Sequence, residues 1–199
     1  MSGSLIVLVI ACDSQIDQDI VDEWAVNGSL LAPHRQQGRV PGEGAAGLLL
    51  VNLDTAQGID GAVFAQLHPI LEGRRDASLD EVKRVEPKVM AELVQHAAQA
   101  AGLDLSQVAA IAADTDGRSN RTLELMGLAS SALPQLDGGG DVARVGAALG
   151  ACGAVPSLCA LALARHHALT GGPALFVSND DPHTCRVALV CPPSARIAA

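Results

Sequence analysis

The sequence predicts a layered α/β domain in which helices cover a mixed β-sheet. Three observations carry that expectation. Short apolar-rich runs bounded by turn-forming residues recur along the chain, at 5–10, 47–53, 108–113, 174–178 and 186–190. Segments with apolar residues at helical spacing lie between them, the clearest following Pro87. Alanine and glycine dominate a composition that is 49% hydrophobic but only 2% aromatic, which suits close packing of helix on sheet through small side chains.

The same composition limits function. With 199 residues the chain is long enough for one sizeable core, and 18% charged residues is a globular balance. A formal net charge of −9 without any basic run argues against nucleic acid and anionic membrane as partners. The five cysteines (Cys12, Cys152, Cys159, Cys185, Cys191) form no C-x-x-C pair. His183 with Cys185 has no further ligands close by, so no metal is expected, and no cofactor either. The cysteines, Cys12 among them, read as small buried hydrophobes. Only six apolar residues follow Ser4, with no basic region before them, which predicts neither signal peptide nor membrane span and hence a cytoplasmic protein.

In chain order, Leu5–Ile10 reads as a strand buried on both faces, which needs neighbours on either side. Its place at the start predicts sheet partners from elsewhere, a preceding segment or another chain. Residues 12–40 read as a loop carrying Asp13, Asp17, Asp19, Asp22, Glu23 and the only tryptophan, Trp24. The loop ends in Pro41-Gly42-Glu43-Gly44, whose glycines permit positive φ or a close backbone approach, and a strand over 47–53 follows. Gly61–Leu67 reads as a third strand and 72–81 as a polar connection.

A helix is expected from near Pro87, which suits a first turn, through Val89, Met90, Leu93, Val94, Ala97 and Ala101 to a stop at Gly102. The strand at 108–113 runs into Asp114-Thr-Asp-Gly-Arg-Ser-Asn120, a loop at the edge where ligands commonly bind. Arg121–Leu133 is a helix halted by Pro134 and Gly138-Gly139-Gly140. Val142–His166 reads as one long helix of small residues, kinked or restarted at Pro156 and closed by His166-His167. Its Gly146, Gly150 and Gly153 are expected where another backbone packs close, and Cys152 and Cys159 would share a core face. Strands at 174–178 and 186–190 close the sheet, and 192–199 form a loose tail.

This order, with particular residues, resembles the thiolase-like fold, and most closely its β-ketoacyl synthase branch. Gly42-Glu43-Gly44-Ala45-Ala46-Gly47-Leu48-Leu49-Leu50 looks like the family's Gly-Glu/Asp-Gly-Ala turn and strand. Asp114-Thr115-Asp116-Gly117-Arg118 sits where the family has His-Gly-Thr-Gly-Thr. Val145–Ala154 sits where it has Thr-Gly-His-Leu-Leu-Gly-Ala-Ala-Gly-Ala. Val177-Ser178-Asn179 is similar to its final strand before the glycine-rich oxyanion loop. The resemblance covers nearly the whole chain, as the C-terminal portion of a synthase. It implies a single thiolase-like domain over 1–199, helices on a mixed β-sheet, lacking the nucleophile-bearing N-terminal half.

The departures shape the functional expectation. The family uses a cysteine nucleophile with two histidines, or one histidine and an asparagine. The resemblance places that cysteine before residue 5, puts Asp114 at the first histidine position and Ala147 at the second, and Asp180–Cys185 in place of the oxyanion loop. Acyl transfer of this kind needs a thiolate, imidazoles and aligned donors. The expectation is therefore a catalytically degenerate synthase-like protein serving as partner or scaffold subunit, in a heteromeric or homo-oligomeric assembly. Chain-length-factor subunits of polyketide systems are the analogy. The rival expectation is one subunit of a split acyltransferase whose cysteine comes from another chain; a small acyl-thioester binder is the third. Asp114, Asp116 and His183, with Arg118 nearby, are the candidate pocket-lining residues, set against ordinary turn chemistry at Asp116-Gly117 and Asp181-Pro182.

Overall fold

The computed structural model describes residues 4–193. Strands β1 (Ile6–Ser14) and β2 (Glu43–Val51) form an antiparallel ribbon, with Ile6 opposite Val51 and Ser14 opposite Glu43. Strands β3 (Gln66–Leu67), β4 (Leu71–Arg74), β5 (Ala110–Ala113), β6 (Val142–Arg144), β7 (Ala174–Ser178) and β8 (Thr184–Cys191) build a mixed sheet. Its order is β3-β8-β7-β5-β6, and β4 pairs with β8 as β3 does. β5 runs parallel to both β6 and β7, whereas β8 is antiparallel to β7. The helices are α1 (Gln18–Asn27), α2 (Leu53–Gln57), α3 (Lys88–Ala101), α4 (Ser119–Ala132), α5 (Val145–Leu149) and α6 (Val155–Thr170).

Strand alternation sorts the sheet's side chains into two cores. Ile111, Leu175, Val177, Val187 and Leu189 face α3 and α4 and meet Met90, Val94, Leu125 and Leu128. Ala112, Phe176, Ala188 and Val190 point the other way, onto Ala160, Ala164 and Ala168 of α6, a stripe at i, i+4 spacing. β5 and β7 are buried along their whole length, as expected of central strands. α6 also packs on both ribbon strands. The layers therefore run ribbon, α6, mixed sheet, α3 with α4. A helix held between two sheets needs apolar residues all round, which is why α6 carries no single apolar face.

Several sequence expectations are corrected. Residues 12–40 contain α1, N-capped by Asp17, whose carboxylate accepts the Asp19 N–H at 2.9 Å. α1 buries none of its residues, so it lacks the apolar stripe by which a helix is read. The glycines after Pro41 belong to β2 and its approach, not to a separate turn. The third strand shrinks to β3, and the polar connection supplies the edge strand β4.

The long helix expected over 142–166 is instead β6, α5 and α6, broken at 150–154. The break comes from a close crossing of two backbones. Gly42 N–H donates to the Ala151 carbonyl at 3.1 Å, and Ala151 N–H to the Val40 carbonyl at 2.8 Å. A Cβ on Gly42 would collide with the Leu149 carbonyl, and one on Gly146 with the Asp114 carbonyl. Cys152 consequently lies outside α6 and shares no helical face with Cys159. His166 and His167 sit within α6, which runs on to Thr170. Of the expected tail, 194–199 lie outside the described residues.

β1 departs most clearly from burial on both faces. Val9, Ala11 and Asp13 turn toward α6 and are half-buried, while Ile6, Leu8 and Ile10 point away and are 59%, 61% and 67% exposed. Leu49, opposite Leu8, is 65% exposed. Cys12, expected to be buried, is exposed on this same outer side.

Candidate functional site

The C-terminal ends of β5 and β7 run side by side and deliver Asp114, Thr115 and Asp116 next to Ser178, Asn179 and Asp180. The bare Gly146 lets the start of α5 abut the Asp114 carbonyl from above. With the broken α5–α6 junction these ends enclose a recess of about 90 Å³, lined by Arg39, Asp114, Asp116, Cys152, Ser157 and Asp180 among small residues.

Asp114 is 3% exposed. One carboxyl oxygen accepts the Asn179 N–H at 2.9 Å, and the other lies 2.5 Å from the Ser157 hydroxyl. Burial pushes its pKa up, against hydrogen bonds from Ser157, Ser178 and Asn179, and the nearby charge of Asp180 adds to the rise. Asp116 is held differently. Its two oxygens accept the Arg118 N–H at 2.9 Å and Arg118 Nε at 2.7 Å.

Behind the recess, buried guanidinium groups clamp the loop that leaves β7. Arg118 reaches the Asp180 carboxylate and, at 3.2 Å, its carbonyl. Arg121 bonds Asp80 at 2.6 Å and the Asp180 carbonyl at 3.1 Å. Arg75 forms a two-point fork on Glu124, with both bonds at 2.7 Å, and donates to the Asp181 and Thr184 carbonyls. Asn179 bridges Thr115, Glu124 and the Arg121 carbonyl. Burial and the charge of Arg118 lower the Arg121 pKa against the pull of Asp80. Burial also acts to lower Arg75, but the Glu124 hydrogen bond and charge outweigh it and leave the pKa raised. Removing one member of such a buried pair strands its partner, at a cost of about 3–5 kcal/mol.

Of the sequence candidates, Asp114 and Asp116 lie on the recess wall and Arg118 stands behind it. His183 is on an exposed turn outside the wall, where Asp181 accepts the N–H groups of His183 and Thr184 at 2.8 and 2.7 Å. Arg39, Ser157 and Asp180 line the recess as well, beyond the residues the sequence points to. Ser157 stood right after a helix-starting proline, and Arg121 with Glu124 at i, i+3 placed charges on a helix that must face the core. Burial raises the Cys152 thiol pKa, with Asp13 and Cys159 adding to it, and pushes Cys185 up to about 11, so both favour the thiol over the thiolate. Among the described residues no group of three or more His, Cys, Asp or Glu is placed to hold a metal ion, and no helix is long and apolar enough to cross a membrane.

Solved structures share this architecture. A type II PKS acyl-carrier protein in complex with its ketosynthase bound to the hexaketide matches with a TM-score of 0.76 at 14% identity, over 94% of this chain and 56% of that one. The ishigamide ketosynthase/chain length factor matches with a TM-score of 0.59 at 18% identity, over 94% of this chain and 49% of that one. An oxazolomycin ketosynthase domain of Streptomyces albus JA3453 gives a TM-score of 0.70 at 13% identity, covering 98% of this chain and 43% of that one. No family model and no curated protein matches the sequence. The chain has a thiolase-like fold of the ketosynthase type. It spans about half the length of the solved chains it matches.

Proposed function

We propose that this chain is a catalytically degenerate β-ketoacyl synthase-like protein that acts as a partner or scaffold subunit. The outer face of the ribbon carries the reading. Ile6, Leu8, Ile10 and Leu49 lie together there, each more than half exposed, with Cys12, Ala45 and Gly47 continuing the same side. Contiguous apolar surface of this kind marks an interaction site on a soluble protein, and covering it is worth about 25 cal/mol per Å². A protein partner, another synthase-like chain or a second copy, is its natural cover; the ketosynthase/chain length factor structures are an analogy for such pairing.

The residues that the resemblance puts at the family's two histidine positions, Asp114 and Ala147, support degeneracy in condensation. Ala147 cannot donate to an enolate oxygen, and an ionised Asp114 would oppose the negative charge that develops there. A second reading, a split acyltransferase with its cysteine supplied by another chain, draws on one observation. The crossing of 40–42 with Ala151 joins the segment entering β2 to the recess wall, which puts the ribbon edge and the recess next to each other.

Purification of the full-length protein from its native host, followed by intact-complex mass spectrometry and treatment with cerulenin, tests both. The expected result is a stoichiometric complex with no cysteine of this chain modified. A modified cysteine on the second polypeptide would favour the split enzyme, and a stable monomer that binds no apolar dye would overturn the partner role.

A further inference from the structure

The recess holds a pairing that neither a scaffold nor a condensing enzyme uses. Ser157 stands in the first turn of the 16-residue α6, half-buried, with its hydroxyl 2.5 Å from Asp114. The other Asp114 oxygen accepts the Asn179 N–H and Ser178 also bonds the carboxyl, so the oxygen facing Ser157 is the one placed to receive its proton. Among the described residues no cation pairs with Asp114, unlike Asp116 and Glu124. Arg39 lines the same recess and makes no side-chain hydrogen bond or ion pair among the described residues. Gly153, also on the wall, has an N–H that donates to no backbone carbonyl among them. The space, about 90 Å³, is that of about three water molecules, room for a short acyl group.

We propose that Ser157 is a nucleophile with Asp114 as its base, and that the recess accepts a short acyl group from an activated ester or thioester. Ser157 Oγ attacks the acyl carbonyl carbon. The Oγ–C bond forms, the bond from carbon to the leaving sulfur or oxygen breaks, and the serine proton passes through Asp114 to the leaving group. The products are an O-acyl serine and a free thiol or alcohol. Water then attacks the same carbonyl, giving up its proton to Asp114. The C–Oγ bond breaks, a carboxylic acid leaves, and the proton returns to Oγ. A carboxylate lifted toward neutrality is a better base for this than an exposed one. The activity goes beyond the partner role and needs neither a cysteine nor an imidazole.

The test incubates the full-length protein with a fluorophosphonate and, separately, with the acetyl thioester of N-acetylcysteamine, then maps the adduct by peptide mass spectrometry. The adduct is expected on Ser157, absent from Ser157→Ala, and formed at least about a hundredfold more slowly by Asp114→Asn. The wild-type rate should rise with pH as Asp114 loses its proton, above the ordinary carboxylate range. No adduct, an adduct on another residue, or equal rates in Asp114→Asn would overturn the proposal. Should circular dichroism show Asp114→Asn unfolded, the wild-type profile decides, and a flat rate between about pH 4 and 8 overturns it.

Discussion

Asp114 is the residue at which stability and chemistry meet. Its carboxyl is buried with N–H and O–H donors but no cation, and burial raises its pKa. A carboxyl shifted this way favours the folded state fully below its unfolded pKa of about 3.9, and that contribution is lost as pH rises through the folded value. Asparagine keeps the shape: its carbonyl accepts the Asn179 N–H and its amide donates to Ser157. Thermal melts are therefore expected to show Asp114→Asn at least as stable as wild type at pH 7, with the advantage gone near pH 3. A difference that stays constant with pH would mean that Asp114 does not carry this linkage. At this scale the sequence was half legible. Asp114 and Asp116 stood out because they end an apolar strand. Arg39 and Ser157 did not, because each reaches the recess only through a tertiary approach (43 residues separate Ser157 from Asp114) and no local pattern records it.

At the scale of elements, β5, β7 and β8 and α3 with α4 were read from apolar runs, helical spacing and stop signals, because those patterns are local, whereas the short strands β4 and β6 were not and β3 was read too long. The small-residue stretch after Val142 misled, since helical periodicity runs on unbroken through glycines that a neighbouring backbone pulls out of the helix. α1 escaped notice for the opposite reason, having no core to face within this chain. The alanine stripe of α6 packs directly on the sheet. Ala164, fully buried against the sheet, leaves no room for a larger side chain, whereas Ala162 on the same helix is exposed. Ala164→Leu is expected to cost about 1–3 kcal/mol by overpacking, and Ala162→Leu less than about 0.5 kcal/mol. Urea unfolding measures both, and equal midpoints would refute a close-packed α6.

For the whole molecule, the decisive property is the uncovered side of the ribbon. The run at 5–10 indicated a strand buried on both faces with sheet partners from elsewhere; β2 of this same chain pairs with it, and its outward side chains were not legible, since that depends on where α6 lies. Replacing Leu8 and Ile10 together by lysine leaves the α6-facing residues untouched. This double variant is expected to keep its circular dichroism spectrum, to bind less apolar dye, and to lose the native complex. A complex that survives both lysines would place the interface elsewhere.

The pair of hydrogen bonds between the 40–42 segment and Ala151 has a spatial consequence. They tie the segment entering β2 directly to Ala151, which lines the recess that contains Ser157. A partner seated on the ribbon would therefore touch the strand that leaves this crossing, so its footprint ends one hydrogen-bonded step from the wall that holds Ser157 and Asp114.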